Sequence, residues 1–190
     1  MNNIGFDLDG TLFDTERSIK KSLELALIEN GIDADLGKFK LGPPIDMLLS
    51  MLNVPESLHL QIKESFIKNY DQNLCVTCTP LFDFKELFYH LKKYRVFIIT
   101  NKRRRPTETI LNKYKFFDSI SGLICSDDAD FQSKCNTFTN YEIELYIGDT
   151  MEDFHQTQQA GIRFILCDWA NNINFSENKI ITHSEIYQYI

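Results

Sequence analysis

The chain has 190 residues, 43% of them hydrophobic and 13% aromatic, enough apolar material for one well-buried core and a small accessory lobe. Its formal net charge of -7, from 20 Lys+Arg against 27 Asp+Glu, argues against a nucleic-acid partner, which is bound through clustered cations. The opening Met1-Asn2-Asn3-Ile4 lacks the basic and apolar profile of a secretion signal, and no later stretch is long and apolar enough for a bilayer, so the expected setting is the cytoplasm, with no membrane partner.

In chain order, short apolar runs at Ile4–Leu8, Arg95–Ile99, Ile120–Cys125, Glu144–Ile147 and Arg163–Cys167 read as buried strands. Between the first two, Ser18–Ile28, Ile45–Leu52 and Ser57–Tyr70 carry helical spacing, broken by Gly42-Pro43-Pro44. Leu81–Tyr94 reads as the crossover helix that parallel neighbours need. Pro106–Tyr114 and Met151–Ala160 are further helices, the last closed by Gly161. The expected fold is α/β: a Rossmann-like, doubly wound parallel sheet of about five strands, with a helical lobe inserted after the first strand. The five cysteines are odd in number and scattered, as reduced thiols would be, and Cys75-Val76-Thr77-Cys78 has no second pair to complete a zinc site.

Chemistry concentrates at three strand ends. The first strand runs into Asp7-Leu8-Asp9-Gly10-Thr11-Leu12-Phe13-Asp14, and strand carboxyl ends in an open parallel sheet face the ligand crevice. Burying Asp7 and Asp9 without a partner would be costly, which points to a bound cation. The fourth strand ends in Gly148-Asp149-Thr150-Met151-Glu152-Asp153, adding two carboxylates one helical turn apart. Asp7, Asp9, Asp149 and Asp153 together make a hard oxygen set of the kind Mg2+ prefers. After the second strand, Thr100-Asn101-Lys102 offers a hydroxyl, an amide and an ammonium to the oxygens of a phosphoryl group. Lys134 adds another cation, and Lys102-Arg103-Arg104-Arg105 is a basic cluster placed to meet a second anionic group, or else to form a solvated loop.

The ordered set of Asp7 to Asp14, Thr100, a later lysine and Gly148 to Asp153 resembles the haloacid dehalogenase superfamily of phosphotransferases. The insert resembles the helical cap of its phosphoglycolate-phosphatase-like branch, which divides the chain into a catalytic core at 1–14 and 81–190 and a cap at 15–80, with Gly42-Pro43-Pro44 as a substrate-facing loop. The resemblance implies a phosphate monoester hydrolase acting on a small-molecule phosphate ester. In it Asp7 is the nucleophile that carries an aspartyl-phosphate, and Asp9 is the general acid and base. Asp149 binds Mg2+ with Asp7 and the Asp9 backbone carbonyl, Asp153 supports that site, and Thr100 and Lys134 hold the phosphoryl oxygens. Two departures stand out: Cys135 replaces a common proline, and the run from Lys134 to Asp149 is shorter than the usual helix, which leaves Lys102 as a rival to Lys134. A sugar phosphomutase and a non-catalytic regulatory domain on the same fold are the alternatives. Trp169 and the histidines read as packing or surface residues, since this chemistry requires neither.

Overall fold

The computed structural model describes residues 2–33, 36, 45–175 and 177–190. Strand β1 (Asn3–Phe6) is buried along its whole length, as a strand covered on both faces must be. It ends sooner than the apolar run because the Leu8 carbonyl accepts from the Leu12 and Phe13 amides, both at 3.0 Å, which turns the chain. Strand β2 (Phe13–Asp14) follows, then helices α1 (Glu16–Glu29), α2 (Ile45–Met51) and α3 (Glu56–Asn69). Strand β3 (Thr79–Pro80) pairs antiparallel with β2, setting Asp14 opposite Thr79.

From there helices and strands alternate. Helix α4 (Phe84–Leu91) leads to β4 (Arg95–Thr100), and α5 (Arg104–Lys113) to β5 (Gly122–Cys125). Then come α6 (Lys134–Asn140), β6 (Ile143–Gly148), α7 (Met151–Ala160), β7 (Arg163–Cys167) and β8 (Lys179–Ile180). Helix α4 is shorter than the expected Leu81–Tyr94 because the Asp83 carboxylate caps it, accepting from the Lys85 and Glu86 amides, while the Leu81 amide is spent on the Leu12 carbonyl. Helix α5 starts before Pro106, which then sits in the first turn, where its missing N–H has no intrahelical partner to lose.

Among the described residues, six strands form one parallel sheet in the order β5-β4-β1-β6-β7-β8. The sixth is β8, where about five had been expected; at two residues it is too short to show a pattern in sequence. The chain winds outward from β1 through β4 to β5, then returns to lay β6 on the other flank of β1. The winding therefore reverses between β1 and β6, and such a reversal opens a crevice beyond the strand ends. Asp7 and Asp149 directly follow these two strands, and the Asp7 amide extends the ladder by donating to the Ile147 carbonyl at 2.8 Å.

The chain divides into two compact units, Met1–Asp14 with Thr79–Ile190, and Thr15–Cys78. In the first, Phe97, Ile99, Ile124, Phe138, Tyr146 and Leu166 are buried together. In the second, Leu23 and Leu27 of α1 meet Leu49 of α2 and Ile62 of α3. Each such burial contributes about 1.5–3 kcal/mol, which is what holds these short helices folded. Gly42-Pro43-Pro44 lies outside the described residues.

Candidate active site

Three carboxylates meet at the switch point. One oxygen each from Asp7, Asp149 and Asp153 lies within 4.8 Å of the others, and among the described residues this is the one group of acids, histidines or cysteines so placed. Asp7 stands at the end of β1 and Asp149 at the end of β6, whereas Asp153 comes from the first turn of α7. Asp153 is fixed twice over: the Thr150 hydroxyl donates to its Oδ2 at 2.7 Å, and its own amide donates back to Thr150 Oγ1 at 3.1 Å. This reciprocal cap explains why the carboxylate faces the strand ends instead of solvent. Gly148 allows it, since a Cβ there would lie 2.7 Å from Asp153 Oδ2.

Lys134 is the counter-charge. Its ammonium, buried with the carboxylates, donates to Asp7 Oδ1 at 2.9 Å and to Asp153 Oδ1 at 2.6 Å. It also lies 5.3 Å from the centre of the Tyr146 ring. The short α6 suffices to aim it, because Ser133 caps that helix by accepting from the Asn136 amide and Phe138 anchors it against Tyr146, with ring centres 4.6 Å apart. Tyr146 was not singled out in the sequence, where it reads as one more strand residue. Its hydroxyl donates to the Ile99 carbonyl at 2.7 Å, tying β6 to β4 beneath the site.

One lysine does not balance three acids. Burial, the largest cause, and then Lys134 acting against it, with Asp153 and Asp9 adding repulsion, leave the Asp7 carboxyl raised to about 6. Burial and the charges of Asp7 and Asp153 raise Asp149 to about 8, against the Thr11 hydrogen bond and Lys134. Burial works to lower the Lys134 ammonium, but Asp7 and Asp153 together outweigh it, so the group is held charged. The set thus carries uncompensated negative potential in a hard oxygen environment, which fits a divalent cation such as Mg2+. The neighbouring Cys167 thiol is pushed well up by burial, so no soft thiolate competes.

Asp9 does not join the carboxylate group through its side chain. Its Oδ2 pairs with the Lys102 ammonium at 3.0 Å, and its Oδ1 is buried without a hydrogen-bond partner. Lys102 and Lys134 therefore both reach the site but at different acids. Thr100, buried at the end of β4, accepts from the Lys102 amide at 3.2 Å, and Asn101 is exposed beside it. Gly10 has φ of +73°, and a Cβ there would lie 2.1 Å from Asp149 Oδ2, so this left-handed turn needs glycine twice over. The next residue, Thr11, donates its hydroxyl to Asp149 Oδ1 at 3.1 Å.

The basic cluster divides. Arg104 grips Asp128 in bidentate fashion, Nε to Oδ1 at 2.6 Å and Nη2 to Oδ2 at 2.7 Å, and also donates to Glu108 Oε1 and the Leu123 carbonyl. Its amide donates to Asp127 Oδ1 at 2.7 Å. These bonds make Arg104 a clamp between the start of α5 and the loop after β5. Arg105 is exposed and Arg103 half-buried.

The sheet order and the acidic centre at its switch point define a Rossmann-like α/β enzyme core. The chain belongs to the haloacid dehalogenase-like hydrolase family, whose sequence model matches residues 4–167. A phosphoglycolate phosphatase from Cereibacter sphaeroides is 27% identical over 186 residues, covering 87% of this chain and 84% of that protein. Another from Aquifex aeolicus is 27% identical over 191 residues, covering 90% and 86%. Among solved structures, a haloacid dehalogenase-like family hydrolase from Streptococcus pneumoniae has the same fold, with a TM-score of 0.85, 18% identity, and coverage of 100% of this chain and 98% of that one. Among the described residues, no helix is long and apolar enough to cross a membrane.

Proposed function

We propose that this chain is a magnesium-dependent phosphate monoester hydrolase working through an aspartyl-phosphate on Asp7. The observation that carries the reading is the grouping of Asp7, Asp149 and Asp153 around Lys134 at the switch point of the sheet. Mg2+ would be held by Asp7, Asp149 and the Asp9 backbone carbonyl, with Asp153 behind them, and when bound it supplies charge compensation to the phosphoryl oxygens.

Asp7 attacks phosphorus through a carboxylate oxygen, and the P–O bond to the ester breaks as the acyl phosphate forms. Asp9 gives the departing alkoxide a proton, then takes one from a water that attacks the acyl phosphate, releasing inorganic phosphate and restoring Asp7. The unpartnered Oδ1 of Asp9 suits this role, since the other oxygen is occupied by Lys102. An ammonium has three donors, and Lys134 spends two on Asp7 and Asp153, leaving one for a phosphoryl oxygen beside the Thr100 hydroxyl. These groups stand in place before substrate arrives, which is where most of the catalysis in phosphoryl transfer originates.

The helical unit Thr15–Cys78 is read as the cap, with the choice of substrate residing in it. Both relatives named above carry the name phosphoglycolate phosphatase, so 2-phosphoglycolate heads the substrates to be tried, followed by sugar phosphates and nucleotides. Phosphate release from such a panel, with and without Mg2+, tests the proposal. Turnover of at least one ester is expected with Mg2+ and none in excess chelator, with Ca2+ failing to restore it because its larger shell misplaces the nucleophile. Mg2+ binding with no ester hydrolysed would favour a non-catalytic domain, and full activity in chelator would remove the metal from the account.

A further inference from the structure

Trp169 stands well apart in sequence from every residue assigned a chemical role, yet its indole N–H donates to the Gly10 carbonyl at 2.7 Å. Gly10 is the hinge of the turn that follows Asp7 and Asp9. Its amide donates to the Phe13 carbonyl at 2.8 Å, and its backbone presses so closely on Asp149 that a single methyl group would not fit between them. A shift of Gly10 therefore moves Asp9 on one side and crowds or frees Asp149 on the other. The indole is itself held rigidly. The preceding residue, Asp168, is buried and accepts from the Asn172 amide at 3.1 Å and the Ile173 amide at 2.8 Å, which fixes the turn after β7. The ring then packs against Phe82, with centres 5.3 Å apart, and His183, with centres 4.9 Å apart.

We propose that Trp169 is a positioning residue for the reaction, holding the Asp9–Gly10–Thr11 turn in register with Asp149 through its bond to the Gly10 carbonyl; the proposal rests on the phosphatase reading above. Packing alone does not require the indole nitrogen to reach Gly10, because a phenyl ring offers the same faces to Phe82 and His183. The donor acts on a backbone atom that no side chain at position 10 can replace, since that position excludes a Cβ. A neutral hydrogen bond of this kind has a modest net worth of about 1 kcal/mol in stability. Its leverage on geometry is larger, because misplacing a reacting group by about 1 Å costs roughly a hundredfold in rate.

Trp169→Phe keeps the ring and removes the donor. The expected result is a kcat about tenfold below the parent with KM within twofold, and Mg2+ affinity by calorimetry weakened several-fold, while the melting temperature stays close to the parent's. A second measurement uses the parent protein, in which Trp169 is the one tryptophan. Its emission should change as Mg2+ is titrated in, and Asp149→Ala should abolish that change. Parental kcat and Mg2+ affinity in Trp169→Phe would overturn the proposal. So would a loss of kcat that merely tracks a lowered melting temperature, or an emission indifferent to Mg2+ that demonstrably binds by calorimetry. If no ester is turned over by the parent, the phosphatase reading fails separately, and the Mg2+ affinity of Trp169→Phe together with the emission titration still decides whether Trp169 positions the turn.

Discussion

Lys134→Met removes the one ammonium that touches both Asp7 and Asp153, at 2.9 Å and 2.6 Å, and leaves a side chain of similar length in the same buried space. Taking one partner from a buried, hydrogen-bonded charge set costs about 3–5 kcal/mol. For a chain of this size, at ~2–4 °C per kcal/mol, that lowers the melting temperature by roughly 6–20 °C. Protonation of Asp7 and Asp149 relieves part of the loss, so the deficit should be larger at pH 8 than at pH 5. Mg2+ should recover some of it by supplying positive charge to the same acids. Lys102→Met offers the contrast: its ammonium pairs with the single acid Asp9, which keeps 24% of its side chain exposed against 9% for Asp7 and 2% for Asp153, so the remaining charge is easier to solvate and the loss should be smaller. Activity should follow the same order, with kcat falling roughly a hundredfold to a thousandfold in Lys134→Met and less in Lys102→Met. Thermal melts of both variants in chelator and in Mg2+, paired with phosphate-release kinetics, check this. A Lys134→Met protein melting within about 3 °C of the parent at neutral pH in chelator would refute the idea that this lysine balances the acids.

Two further outcomes follow from the same structure. Unfolded aspartates titrate near 4, whereas folded Asp7 and Asp149 are raised to about 6 and about 8, so the metal-free folded state binds more protons across that window and loses stability as pH rises through it. Melting temperatures in chelator should therefore decline from about pH 5 to pH 8, and Mg2+ should flatten the decline; a flat metal-free profile would contradict the stated electrostatics. Arg104→Ala should lower the melting temperature by several degrees through loss of the Asp128 clamp while leaving KM for a singly phosphorylated ester within twofold. A raised KM with an unchanged melting temperature would return Arg104 to a substrate-binding role.

What the sequence made legible was local. Apolar runs ending in carboxylates marked β1 and β6, and helical spacing between strands implied a parallel sheet, so Asp7 and Asp149 were placed at strand ends by pattern alone. Contacts joining distant segments left no such trace. Nothing around Trp169 in sequence signals the Gly10 carbonyl 159 positions away, and the periodicity of β6 does not distinguish Tyr146 beneath Lys134 from any other buried strand residue. Lys102 and Lys134 both suited a phosphate site on chemistry, and only their partners separate them, Asp9 for one and Asp7 with Asp153 for the other. The Arg104 guanidinium was legible as a cation but not as a clamp, because Asp128 lies 24 residues further on, in a loop without periodicity.

The central claim is that phosphate passes through Asp7, and the most direct measurement is acid-quenched mass spectrometry of the Asp9→Asn protein given Mg2+ and an activated aryl phosphate. Such an ester needs no proton on its leaving group, so the first step proceeds slowly, whereas the second lacks the base that activates water. The account predicts one phosphoryl group per chain, mapped to the peptide containing Asp7, and none when Asp7 is also changed to Asn. Turnover near the parent's in Asp7→Asn, with no phosphorylated peptide at any time point, would contradict it.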